Sequence, residues 1–165
     1  MLEVIQKLTK LNKTISTMES CTGGFLASSI TNIEGSSAVF KFGAVTYSNE
    51  YKIKMGVSKD IIDTYSVYSK ETSNEMSKCI CNFANSNYGV GITGKLNKTD
   101  PNNKIGYDNI IYISIYDKDN DKFYNQTVSV TSMDRLHNKE LLINIIIDML
   151  NNIIEWEEIW KYIIH

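Results

Sequence analysis

Two short segments carry side chains suited to acyl chemistry. Glu19-Ser20-Cys21-Thr22-Gly23-Gly24 closes the β-branched run TISTMES and directly precedes the helix-like FLASSITN. Glycines at such a turn let backbone approach a ligand closely, and the first N–H groups of the following helix point at developing negative charge, as in an oxyanion hole. Ser20 is a weak nucleophile until a base takes its proton. The chain has two histidines, His137 within its last helix-like stretch and His165 at its final position, so a Ser-His pair is disfavoured. Tyr47-Ser48-Asn49-Glu50-Tyr51-Lys52 offers another base. A lysine partly removed from water holds its proton less tightly, so Lys52 could accept the Ser20 proton, with Tyr47 relaying or orienting it. Each residue has a plainer reading as well. Ser20 and Thr22 suit helix caps, Lys52 a solvated helix position, Cys21 a small packing site and Tyr47 a sheet position with a polar tip.

The elements that must position these groups follow from periodicity. Residues 2–12 place Leu2, Ile5, Leu8 and Leu11 at helical spacing. A strand, a small-residue turn and a helix come next, which sets Ser20 and Thr22 at a helix amino terminus. Gly35-Ser36-Ser37 punctuates the chain before the strand-like AVFKFGAVTYS, and NEYKIKMG reads as a short helix carrying Lys52. Ser58 can cap a helix over 59–64 and Ser69 one over 70–84. The strand YGVGIT ends at Thr93-Gly94, and the polar stretch 95–109, with the chain's one proline, Pro101, is a loop whose length of about fifteen residues suggests a place beside the site. NIIYISIYD and KFYNQTVSVT flank KDND as a hairpin. Asp117, Asp119 and Asp121 imitate a calcium loop, but Lys122 and Val128 stand where its Gly and Glu belong. From 132 onward apolar residues at 142, 145, 146, 149, 153, 156, 160, 163 and 164 form one stripe of a helix, or helix pair, of about thirty residues. The predicted fold is an α/β single-domain layered sandwich, a mixed sheet with helices on both faces and a long C-terminal helical segment.

Composition narrows the function. The 165 residues suit one domain. A 42% apolar and 22% charged chain should fold unaided. A net charge of −2, with Lys and Arg dispersed, argues against a nucleic-acid partner. No apolar run reaches the roughly 18 residues of a membrane span, and residues 1–10 do not read as a signal peptide, so the cytoplasm is expected. Three cysteines, Cys21, Cys79 and Cys81, are an odd number, read as free thiols.

The stretch from 19 to 57, with ESCTGG, then GSSAVF, then YSNEYK followed by Gly-Val, resembles the signature of the CinA carboxy-terminal domain, a family that includes stand-alone nicotinamide-nucleotide amidases. The resemblance extends over about residues 1–153 through Ser69, Thr93-Gly94, Lys104, Gly106 and Asp134-Arg135. It implies an amidohydrolase, needing no metal or other cofactor, that converts nicotinamide mononucleotide to the nicotinate form and ammonia. By position it implies Ser20 as nucleophile, Lys52 as its base and Tyr47 as proton relay. Thr22, Gly23 and Gly24 would hold the oxyanion or substrate, with Ser36, Ser37, Asn49, Thr93, Gly94 and Arg135 as binding contributors. A guanidinium at 135 also suits the single phosphate of a mononucleotide through its bidentate fork; its plainer reading is a first-turn surface residue.

The sequence departs from the family after Thr93-Gly94, where KLNKTDP replaces a Gly-Pro-rich loop and cannot bring backbone N–H groups as close to a ligand. The chemistry is therefore expected to persist while the amide substrate is open. The alternatives are an amidase for another small amide and a nucleotide-binding or competence-related partner protein without turnover. The family also occurs fused to a larger amino-terminal domain, for which 165 residues leave no room, so that domain's activity is expected to be missing. The tail at 154–165 exceeds the family pattern. Its Trp156, Trp160 and Ile163 share one helical face, either as added core packing or as a homo-oligomer contact, while Lys161 is too little basic charge for a membrane surface.

Overall fold

The computed structural model describes residues 1–131 and 134–164, the side chains of 157–164 excepted. The chain forms α1 (Leu2–Leu11), β1 (Ile15–Glu19), α2 (Phe25–Thr31), a 3₁₀ turn (Ser36–Ala38), β2 (Phe40–Val45) and α3 (Asn49–Lys54). It continues through α4 (Lys59–Tyr65), α5 (Lys70–Ala84), β3 (Tyr88–Gly94), β4 (Ile110–Asp117), β5 (Lys122–Ser129) and α6 (Arg135–Ile164). The sheet order is β2-β1-β3-β4-β5. β1 runs parallel to both neighbours, and β3, β4 and β5 alternate, so the sheet is mixed, as expected.

The two faces differ in kind. Ile15, Val90, Ile92, Ile111, Ile113 and Ile115 pack with Val4 and Leu8 of α1, Leu26 and Ile30 of α2, and Leu142, Ile146 and Leu150 of α6. On the opposite face the central positions are small, Ser16, Gly89, Gly91 and Ser114, while Met18 packs with Met76 and Ile80 of α5 and with Val57, Ile62 and Val67 in a second apolar cluster. There α5 lies almost on the sheet, since a Cβ on Gly89 would stand 2.1 Å from the Ser77 carbonyl and one on Gly91 2.4 Å from that of Ser73. Ser77 and Ser114 hydroxyls meet at 2.9 Å across this interface. A period-2 pattern that is apolar on one face and small at the centre of the other is what a sheet covered on both sides, with one helix at close approach, requires.

The long segment is a single helix, α6, joined to α1 by Lys7, whose ammonium reaches Glu155 at 2.7 Å and Asn151 at 3.2 Å. Its buried stripe runs through Leu142, Ile143, Ile146, Leu150, Ile153 and Ile154, and Trp156 turns outward, 64% exposed, so Trp156 adds nothing to the core. Its expected face-sharing with Trp160 and Ile163, and the side chains of Lys161 and His165, lie outside the described residues.

The β4–β5 turn is built by Asp117, whose carboxylate accepts the N–H groups of Asp119 and Asn120 and the Asn120 side chain. Asp121 accepts the Tyr116 hydroxyl. These carboxylates serve the hairpin itself. All three cysteines are free. No helix among the described residues is long and apolar enough to cross a membrane.

The topology fixes where a ligand can sit. From β1 the chain crosses to β2 on one side, then returns past β1 to β3 on the other. Crossovers of a single hand therefore send α2 and α5 to opposite faces. Loops leaving the carboxyl ends of β1 and β3 part at this switch point and leave a crevice.

Candidate active site

The crevice is a cleft of about 480 Å³ lined by Ser20 and Cys21 after β1, Tyr47, Ser48 and Asn49 at the start of α3, and Tyr68 before α5. Gly94, Lys95, Leu96 and residues 98–103 after β3, with Arg135 of α6, complete it.

Lys52 is carried inward by α3. Ser48 starts that helix, its hydroxyl accepting the Tyr51 N–H, and the first turn leaves Lys52 1% exposed. Its amine lies 3.0 Å from Ser20 Oγ and donates to the Thr46 carbonyl at 2.7 Å. Burial holds the Lys52 pKa down at about 8, opposed by the charge of the Asp100 carboxylate. The neutral amine thus keeps a lone pair for the Ser20 proton. Cys21, also buried, has its thiol pushed up to about 12, so it stays protonated and acts as a small packing group.

Ser20 is free to face Lys52 because another residue serves the helix that follows. Neither Ser20 nor Thr22 caps α2. The buried carboxylate of Glu19 accepts the N–H groups of Leu26 at 3.0 Å and Ala27 at 2.8 Å, where the helix dipole favours an anion. Gly24, at φ 92°, makes the turn into the helix, a conformation that disfavours side chains. Glu19 stands six positions before Phe25, the first residue of α2, so only packing brings its carboxylate to these amides.

The structure brings together Ser20, Lys52, Tyr47, Asn49, Gly94 and Arg135 at one cleft. Tyr47 is 66% exposed, and its hydroxyl bonds neither Ser20 nor Lys52. Asn49 donates to Asn103 at 3.0 Å. The other expected residues stand outside the lining. Thr22 is buried with its hydroxyl unpartnered, Gly23 uses its N–H on the Ser20 carbonyl at 3.0 Å, and Gly24 serves the turn. Thr93 is buried, its hydroxyl donating to the Val67 carbonyl at 2.9 Å, which anchors the chain just before Tyr68. Ser36 and Ser37 precede β2, at the end of the parallel strands opposite Ser20.

Sequence reasoning missed Tyr68 and the internal order of residues 95–109. Lys95 is buried, pairs with Asp108 at 3.1 Å and lies over the Tyr68 ring at 5.2 Å. Tyr68 donates a short hydrogen bond to Asp100. Thr99 donates to Asp108 at 2.6 Å. These bonds give a polar loop a fixed wall-like shape. Only tertiary pairing reveals them, although the polar composition did mark the segment as a loop.

Comparison with known proteins agrees with this fold. The model of the CinA C-terminal domain matches residues 1–154. A CinA-like protein of Kosmotoga olearia is 40% identical over 116 residues, 68% of this chain and 27% of that protein. A putative competence-damage inducible protein of Clostridium perfringens is 48% identical over 94 residues, 56% of this chain and 23% of that protein. The chain thus spans about a quarter of the length of these relatives. Among solved structures, the competence/damage inducible protein CihA of Agrobacterium tumefaciens superposes with a TM-score of 0.81 at 27% identity, covering 91% of this chain and 90% of that one. A CinA superfamily protein of Klebsiella pneumoniae gives 0.84 at 20% identity over 93% and 94%, a likeness of fold.

Proposed function

The chain belongs to the CinA C-terminal domain family, and from that premise we propose that it is an amidohydrolase, deamidating nicotinamide mononucleotide to nicotinate mononucleotide and ammonia. The observation that carries the reading is the 3.0 Å approach of a buried, counter-ion-poor lysine amine to a serine hydroxyl in a cleft.

In the proposed reaction, Ser20 Oγ attacks the carboxamide carbon as its proton passes to Lys52 Nζ. The carbonyl π bond becomes an oxyanion, for which the N–H of Cys21, the residue after the nucleophile, is the adjacent donor. Collapse breaks the C–N bond, Lys52 returns the proton to the leaving nitrogen, and ammonia departs from an acyl-Ser20 ester. Water then attacks the ester while giving a proton to the neutral Lys52, and the carboxylate leaves with Ser20 restored. Thr46 holds the lysine through its carbonyl in every step. Tyr47, exposed at the rim, would relay protons once substrate covers it, and Arg135 would take the phosphate. Such a nucleotide reaction belongs to the cytoplasm, where three unpaired cysteines stay reduced.

The test is ammonia release from nicotinamide mononucleotide by purified protein. Release that vanishes in Ser20→Ala supports the proposal; no release, or release indifferent to that change, defeats it. The fixed wall at 95–103 favours one second reading, the same chemistry on another small amide. A panel of amides assayed for ammonia separates the two.

A further inference from the structure

Among the described residues, Asp100 is the one carboxylate in the cleft lining, which it shares with Lys95, Lys98 and Arg135. Lys95 is already paired with Asp108. Among the described residues the hydrogen-bond partners of Asp100 are all neutral: the Tyr68 hydroxyl, the Asn103 side-chain amide at 2.9 Å and the Asn102 N–H at 2.9 Å. The Tyr68 bond leads in holding its carboxyl below the ordinary range, so the group is an anion. Its supports are themselves fixed. Asn49 of α3 bonds Asn103, the Lys95 ammonium covers the Tyr68 ring, and Thr93 of β3 bonds the Val67 carbonyl beside Tyr68.

A charge oriented from three elements and, among the described residues, hydrogen-bonded only by neutral groups is an electrostatic subsite organised before its ligand arrives. Two of the three bonds need no charge, since an asparagine oxygen would also accept from Tyr68 and Asn103 and lose only the Asn102 N–H bond. We infer that Asp100 determines specificity by recognising positive charge on the ring that bears the carboxamide, an N-alkylated pyridinium. The inference rests on the amidase reading for the substrate class. It has a consequence for the base too, because the Asp100 charge favours the protonated form of Lys52. A cationic ring that compensates this carboxylate removes that support and leaves the lysine neutral when the amide is in place.

The experiment measures dissociation constants in Ser20→Ala protein, where the amide survives. The ligands are nicotinamide mononucleotide and its 1,4-dihydro form, which keeps carboxamide, ribose and phosphate but loses the ring charge. The oxidised nucleotide should bind about tenfold more tightly, the size of a partly buried charge interaction. Asp100→Asn, added to Ser20→Ala, should erase that preference by weakening the oxidised form alone. Tyr68→Phe, which keeps the charge and removes one support, should retain the preference. Equal binding of both nucleotides before the change, equal weakening of both after it, or a preference surviving Asp100→Asn would each overturn the inference. Ammonia release by protein with Ser20 intact tests the underlying reading separately. Release without a ring-charge preference sinks this inference alone, and preference without release sinks the amidase reading alone.

Discussion

Lys52 and Ser20 are 32 positions apart in the chain and 3.0 Å apart in space, and the proposed chemistry turns on the state of that one amine. Lys52→Met should lower ammonia release by about a thousandfold, within the range set by losing a general base. Lys52→Arg should not restore it, because a guanidinium does not deprotonate at accessible pH. The rate should climb with pH and level off above about 8, the value to which burial brings Lys52. The same shift predicts stability. Between about 8 and the ordinary 10.5 the unfolded chain holds a proton that folded Lys52 lacks, so the lysine's contribution to stability rises with pH across that window. Below it, the native state carries the full cost of a buried ammonium. Lys52→Met should therefore raise the melting temperature most near neutrality, with the gain shrinking toward pH 10.5. A gain growing with pH would contradict the linkage. The serine, the lysine and their order were legible, since glycine turns and helix starts leave local signatures. The actual cap of α2 was hidden because hydroxyls and carboxylates compete for the same amides, and only packing shows that Glu19 prevails.

Two elements hold the pair in place, and each can be tested apart from the chemistry. Glu19→Gln removes the charge from two bonds to the α2 amides and should cost about 1–3 kcal/mol by urea denaturation, the range for a charged buried hydrogen bond. A smaller loss would mean that the dipole interaction is minor. The approach of α5 to β3 is governed by glycines, so Gly89→Ala must push a Cβ into the Ser77 carbonyl. This should destabilise by about 3 kcal/mol or more, since backbone cannot yield as a side chain can. Helical periodicity and the serine before 70–84 made α5 readable to its last residue. Ser58 starts α4 as expected, yet its hydroxyl makes no cap bond. The wall at 95–109 was readable only as a loop, because its shape comes from Lys95, Asp100 and Asp108 meeting one another and Tyr68 from the segment before α5.

Taken whole, the sheet order places the cleft where two crossovers diverge, and the alternation of strands and helices was enough to predict a mixed sheet covered on both faces. The end of α6 was harder, because an amphipathic stripe does not distinguish a core from a contact between molecules. With Trp156 exposed, we propose that this end of α6 joins two copies. Light scattering should report an oligomer that Trp156→Ser combined with removal of 157–165 reduces to a monomer, and a monomeric parent protein would refute it. The most direct test of the account is the rate of ammonia release from nicotinamide mononucleotide, followed from about pH 6 to about pH 10 in the unaltered protein and in Lys52→Met. The account predicts a rise of about tenfold per pH unit to a plateau near 8 in the first and almost no release at any pH in the second; equal rates in the two proteins would contradict it.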